Sequence, residues 1–264
     1  TISTPHVFEL TGHEGIHRLR VESDNSYPGL PHDAIVYSSA ATDETQTNWN
    51  GLLGYIRLRE ENPIFLSQVR VYPKDGGKLR SEIDLDTYDE PFEGVLVLKS
   101  SVLLQDYEQK ISVMTSNSRK TIVAEDLLIS SSAANWDEYD GKLYELTAAL
   151  YKNDLQSSES EKADEKTVSF GIRTFGDDGY GHLSLNVRRI FLRSEANCAE
   201  FPETGYIPME KEAWKNILQT YKDYGINMVR FHSHCPPEAA FFAADEMGIL
   251  MQPELSHWDP KHAF

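Results

Sequence analysis

The sequence predicts a β-rich region of packed sheets that hands over, past its midpoint, to parallel βα units. Three observations carry this. Short runs of alternating apolar and polar residues recur between residues 17 and 150, separated by turns such as Asp75-Gly76-Gly77 and Asp140-Gly141. That is the pattern of half-buried strands in sandwiches. Near residue 205 the apolar period lengthens to that of a helix, and helix and strand then alternate at the spacing of parallel βα units.

Taken in order, the alternating runs predict strands at His17–Glu22, Gly54–Leu58, Gln68–Tyr72, Leu79–Leu85, Gly94–Lys99, Lys110–Thr115 and Leu143–Leu150. Ser157–Lys166 has no apolar residue except Ala163 and reads as a solvated hairpin loop. Met209–Tyr224 places Trp214, Ile217, Leu218 and Tyr221 on one helical face, with Pro208 before it and Gly225 after it. Ile226–Phe231 reads as a buried strand. Pro236-Pro237 opens a second helix, Glu238–Met247, which Gly248 stops, and Ile249–Met251 begins another strand.

Composition narrows the function. The 264 residues carry 42 acidic and 25 basic side chains, a net charge of −17. Such a chain should stay soluble and be repelled by phosphate backbones and anionic membranes, so no nucleic-acid or membrane partner is expected. No stretch approaches the roughly 20 apolar residues of a membrane span. Two cysteines, Cys198 and Cys235, are too few for a disulfide scaffold. The first five residues have neither the basic nor the apolar part of a signal peptide, and the missing initiator Met fits a processed or cut chain. The expected compartment is periplasmic or secreted, with the cytoplasm as the alternative.

Three clusters bear on chemistry. His13-Glu14-Gly15-Ile16-His17 matches the H-E-x-x-H of zinc proteases, which needs both imidazoles on one helical face. Gly12 and Gly15 and the alternating sequel Arg18–Glu22 read instead as a turn entering a strand, so no metal is expected. Arg230-Phe231-His232-Ser233-His234-Cys235 ends the second parallel strand. In βα barrels that end carries the active site, and Arg and His donate well to hydroxyls or a carboxylate. A structural cluster reads equally well from position alone. A metal site of His232, His234 and Cys235 is the weaker reading, because adjacent strand residues face opposite ways. Glu254 ends the next strand and Asp259 follows. Glycosidic cleavage needs two carboxylates; the plainer reading of these two is that Glu254 supports neighbouring groups and Asp259 caps a helix.

Six stretches resemble glycoside hydrolase family 2, the group of β-galactosidases, β-glucuronidases and β-mannosidases. Asn48-Trp49-Asn50-Gly51-Leu52-Leu53-Gly54 is similar to the W-N-G-[IL]-x-G at the end of the family's sugar-binding domain. Trp136-Asp137 with Lys142–Leu146, and Phe170–Phe175, resemble strands of its middle sandwich. Leu185-Asn186 with Ile190–Arg193, Gly225–Arg230 with Ser233–Pro236, and Ala244–Ile249 leading to Glu254 resemble the first three barrel strands and their approaches. The stretches occur in family order.

The resemblance implies a jelly-roll portion at 1–62, an immunoglobulin-like β-sandwich at 63–175 and the first strands of a (β/α)8 TIM barrel at 176–264. It implies hydrolysis of terminal β-glycosides, of β-galactoside or β-glucuronide type, by a retaining two-carboxylate mechanism. The catalytic pair is expected on later barrel strands, with none in this chain, and the piece alone is expected to be inactive. Arg230, His232, His234, Glu254, Asn197 and Trp258 are the substrate-binding candidates. The expected partner is an oligo- or polysaccharide, besides a homo-oligomer or the rest of a longer chain, and no cofactor is expected. Ser194 and Arg188 stand where the family has glycines, and Glu195–Cys198 lacks a His common there, which marks a divergent branch. A non-catalytic carbohydrate-binding or structural sandwich is the alternative.

Overall fold

A computed structural model describes residues 5–8, 10, 15–24, 51–52, 54–88, 91–113, 118–153 and 161–255. The chain divides into two compact units, one of residues 58–191 and one of residues 1–57 with 192–264. The described residues are mostly β-strand with two helices.

The first unit is built on two antiparallel sheets. One orders β1 (Ile64–Lys74), β2 (Lys78–Thr87) and β5 (Ser118–Leu128) as β1-β2-β5. The other orders β3 (Phe92–Lys99), β4 (Tyr107–Val113), β6 (Tyr144–Lys152) and β7 (Glu161–Phe170) as β4-β3-β6-β7. Alternation decides which faces meet. Leu79, Ile83 and Leu85 of β2, Leu96 and Leu98 of β3, and Leu146 and Leu150 of β6 are fully buried in one shared core. At about 25 cal/mol per Å² of apolar surface removed from water, this core is the main stabilising term of the unit.

Side chains tie the sheet edges together where no ladder can. The Leu66 amide donates to Asp164 Oδ2 at 2.6 Å, Lys166 Nζ donates to the Ser67 carbonyl at 2.6 Å, and Asn62 Nδ2 donates to the Ala163 carbonyl at 2.8 Å. These bonds satisfy backbone groups of edge strands β1 and β7 that would otherwise be open to pairing. A small antiparallel sheet follows, ordered β10-β9-β8, of β8 (Phe175–Asp177), β9 (Leu183–Leu185) and β10 (Arg188–Arg189). Asn186 and Val187 turn β9 into β10 at φ of 52° and 67°.

In the second unit, β11 (Ser194–Asn197), β12 (Met228–Phe231) and β13 (Leu250–Pro253) form a parallel sheet in that order. Helices α1 (Lys211–Asp223) and α2 (Glu238–Met247) make the two crossovers that parallel strands require. Trp214 and Leu218 of α1, Val229 and Phe231 of β12, and Ala240, Ala243 and Ala244 of α2 share a second core. Trp214 meets Phe201 and Phe231 edge-on, each at 6.0 Å, and donates its indole N–H to the Pro208 carbonyl at 2.8 Å. Gly248 ends α2 in the left-handed region, at φ 71°. Neither helix is long and apolar enough to cross a membrane.

Three expectations are corrected. The runs His17–Glu22 and Gly54–Leu58 form no strand, although their residues are described. Their apolar side chains, Leu19, Val21, Ile56 and Leu58, are exposed, and an alternating run without a buried face has nothing to hold it in a sheet. Among the described residues of 1–62 no strand is formed. The expected hairpin loop Ser157–Lys166 is overturned over its described part: Glu161–Lys166 belongs to β7. The motif residues His13 and Glu14, the tryptophan Trp49 and Asp259 lie outside the described residues.

Candidate functional site

The three parallel strands deliver their side chains to one rim. Val229 and Phe231 point into the core between the helices, so Arg230, between them, projects from the opposite face and is exposed. Register sets Arg230 beside Gln252 and carries the chain on to Glu254, two residues along β13's face. The Arg230 Nε donates to Glu254 Oε1. The other oxygen, Oε2, lies 3.4 Å from His232 Nδ1. His232 and Arg230 share a strand direction at i and i+2, and Arg230 Nη2 lies 3.4 Å from the same ring nitrogen. Three candidates therefore converge.

The Nδ1 of His232 is contested. Ser233 Oγ also lies 3.0 Å from it. Bare, this nitrogen can accept from Arg230 or Ser233; protonated, it can donate to Glu254. The Arg230 guanidinium, seconded by His232, holds the Glu254 carboxyl below the usual carboxylate range against the opposing effect of burial. Glu254 is thus a standing anion at neutral pH.

His234 is placed differently. Its ring packs edge-on against Phe231 at 5.4 Å, its Nδ1 lies 3.4 Å from the His232 carbonyl, and its Nε2 is buried with no hydrogen-bond partner among the described residues. Burial pushes its pKa down. Its carbonyl accepts from the Glu254 amide at 3.1 Å, which helps fix the carboxylate. Burial likewise pushes the neighbouring Cys235 thiol up, which favours its protonated form.

Asn197 does not join the cluster through its side chain. It pairs in register with Phe231 and so lies on the helix-facing side. Its Oδ1 accepts from the Ala199 amide at 3.0 Å, and its Nδ2 lies 3.5 Å from the Tyr221 hydroxyl. Its backbone carbonyl accepts from the His232 amide at 2.9 Å, so its contribution here is to seat His232. Trp258 lies outside the described residues. Ser233 was missed as a contributor; it is 4% exposed and the peptide before it is cis. Among the described residues no group of three or more His, Cys, Asp or Glu side chains is placed to hold a metal ion. The cluster can donate from an exposed guanidinium and accept at a fixed carboxylate, which suits hydroxyl-rich ligands.

This chain aligns with a crystal structure of a GH2 β-galacturonidase from Eisenbergiella tayi bound to galacturonate, with a TM-score of 0.67 at 20% identity over 89% of this chain and 40% of that one. It aligns with the β-glucuronidase of Bacteroides uniformis at a TM-score of 0.62 and 15% identity, over 74% of this chain and 24% of that one. The chain has the fold of a glycoside hydrolase family 2 fragment. At these identities the glycoside hydrolase family 2 likeness is one of fold. In sequence, 114 residues are 32% identical to the exo-β-D-glucosaminidase of Streptomyces avermitilis, which is 39% of this chain and 12% of that relative. The chain thus spans less than half the length of the family 2 proteins it matches. No family model matches it.

Proposed function

We propose that this chain is part of a family 2 β-glycosidase that hydrolyses terminal β-glycosides, of the β-glucuronide, β-galacturonide or β-galactoside type. In this reading 1–62 ends a jelly-roll domain, 63–175 is an immunoglobulin-like sandwich, and 176–264 begins a (β/α)8 barrel whose first strands are β11, β12 and β13. The observation that carries it is the convergence of Arg230, His232 and Glu254 on the carboxyl rim of a parallel sheet, where barrel enzymes keep their active sites.

The roles follow from the geometry. Arg230 and His232 orient sugar hydroxyls or a sugar carboxylate, Glu254 fixes Arg230, and His234 and Asn197 hold the cluster's backbone. Trp258, outside the described residues, stays a candidate for stacking on a sugar ring by its residue type alone. A retaining glycosidase needs two carboxyl groups about 5–5.5 Å apart, one of them protonated to serve as the acid. Glu254 is committed to a guanidinium and kept ionised, so it suits positioning rather than proton donation. The acid/base and nucleophile then come from other barrel strands. The test is an aryl β-glycoside panel offered to the longer protein that contains this chain and to the 264-residue chain alone. Hydrolysis is expected from the former, and turnover by the latter would refute this division of labour.

A further inference from the structure

The described residues also form an open surface cleft in the other unit. A cleft of about 840 Å³ opens between the β1–β2 turn and the segment 173–175 that follows β7. Its size is in the range of small-molecule sites, which run from roughly 300 to 1,000 Å³. Two aromatic rings on its walls, Tyr72 and Phe175, are 39% and 46% exposed. Tyr72 has Arg80 over its ring at 5.5 Å and its hydroxyl on Glu82 at 3.3 Å, which fix its orientation. Thr174 Oγ1 donates to Asp75 Oδ1 at 3.1 Å and clasps the two walls together.

Charge is the decisive feature. Three cations, Arg173, Lys74 and Lys78, line the cleft with the anions Asp75 and Asp126, and what matters is which cation has no carboxylate partner among the described residues. Lys74 pairs with Glu125 and Lys78 with Asp126, each at 3.0 Å. Arg173 has no carboxylate partner among the described residues; its guanidinium lies over the buried Trp136 ring at 4.9 Å. Stacking of that kind restricts the side chain while leaving its edge donors free for a planar anion.

We propose that this cleft is a non-catalytic binding site for a carboxylate-bearing sugar unit of an oligosaccharide. The Arg173 edge takes the carboxylate and the faces of Tyr72 and Phe175 take the apolar side of a ring. The sugar part of this assignment rests on the glycosidase reading above; the anion part rests on the cleft alone. The site would hold an acidic chain on the sandwich while its end is processed elsewhere.

The experiment titrates the 264-residue chain with a trigalacturonate and with the matching neutral trigalactoside, observed by ligand NMR and calorimetry. Saturable binding of the acidic trisaccharide is expected, weakened about tenfold by Arg173→Gln, the size of one charge-assisted hydrogen bond. Phe175→Ala should weaken both ligands alike, and its circular dichroism shows whether the fold is kept. Equal affinity for the two trisaccharides, binding untouched by both variants, or no saturable binding would each overturn the assignment. Glycoside hydrolysis and trisaccharide binding by the longer protein without any substitution separate the two readings. Retained hydrolysis without cleft binding sinks the cleft alone, and cleft binding without hydrolysis sinks the glycosidase reading alone.

Discussion

Arg230 donates to Glu254 across two neighbouring parallel strands, although 24 positions separate them in sequence. The pair exists because β12 and β13 run side by side in a fixed register, with Arg230 opposite Gln252. It also bears on what Glu254 can do chemically. A carboxylate held by a guanidinium stays charged, so it can orient a donor but has no proton to give.

Replacing Arg230 tests that relationship. The side chains are 45% and 21% exposed, so the pair should be worth only about 0–1 kcal/mol of stability. Arg230→Ala is therefore expected to leave the urea midpoint of the chain nearly unchanged. In the family 2 glycosidase proposed above, it should cut kcat/KM on aryl β-glycosides about tenfold or more, with Arg230→Lys recovering little because a point charge lacks the guanidinium's geometry. A large stability loss with unchanged kinetics would make the cluster structural.

His234 makes a prediction about pH. Burial holds its folded pKa below the usual imidazole value. A base whose charged form is disfavoured in the folded state binds fewer protons there than when unfolded. Stability then rises with pH across that window: it is complete above about pH 6.5 and falls as the pH drops toward the lower folded value. NMR titration of the imidazole C–H signals should show His234 titrating below the usual imidazole value, and His234→Gln should flatten the stability profile below about pH 6.5. A normal titration at His234 would end the argument.

The helical part of the fold was legible in the sequence, and the site only halfway. Pro236-Pro237 and Gly248 bracket α2 as expected, because Pro and Gly act on the backbone locally. Strand β7 was hidden because Glu161, Lys162, Glu165 and Lys166 give it polar faces; it is an edge strand held by Asp164 and Lys166 bonds to β1, a relation about 98 residues away in sequence. Strand β5 was likewise missed, because its buried Ile122 and Ala124 are flanked by Arg119, Lys120, Glu125 and Asp126, with an exposed Val123 between them. Within the site, Arg230 and His232 share a face by simple i, i+2 spacing, which a sequence reveals. That Asn197 turns toward Tyr221 instead depends on the parallel register with β12, which it does not.

Gly94 tests the second sheet. A Cβ at this position would stand 2.1 Å from the Tyr151 carbonyl and 2.6 Å from the Phe92 ring. The carbonyl belongs to β6, paired with β3, and cannot retreat without breaking the ladder. Gly94→Ala should cost about 3 kcal/mol or more by overpacking, seen as a lowered melting temperature and a lowered urea midpoint. Gly76→Ala is the comparison: its Cβ would meet nothing within 4 Å, so its cost is limited to the strain of φ at 77°.

Asp84 is buried on β2, and Arg70 of β1 grips it through two nitrogens, at 2.8 and 3.0 Å, while the Thr121 hydroxyl donates to it at 2.7 Å. The Arg70 guanidinium holds the carboxyl below its usual range; burial works the other way, and Thr121 adds to the lowering. A depressed carboxylate adds stability that is fully present above the unfolded pKa, about 3.9, and disappears as the pH falls through the folded value. Asp84→Asn keeps the shape and removes the charge. It should cost about 2 kcal/mol at neutral pH, where Arg70 loses its bidentate partner. As the pH falls below the unfolded value of about 3.9, the gap between the variant and the native chain should narrow, because the unfolded carboxyl is then protonated while the folded one is still charged. Urea unfolding at pH 7, 4 and 2.5 checks both statements, and a gap that stays constant with pH would mean that the charge on Asp84 is not what stabilises the pair.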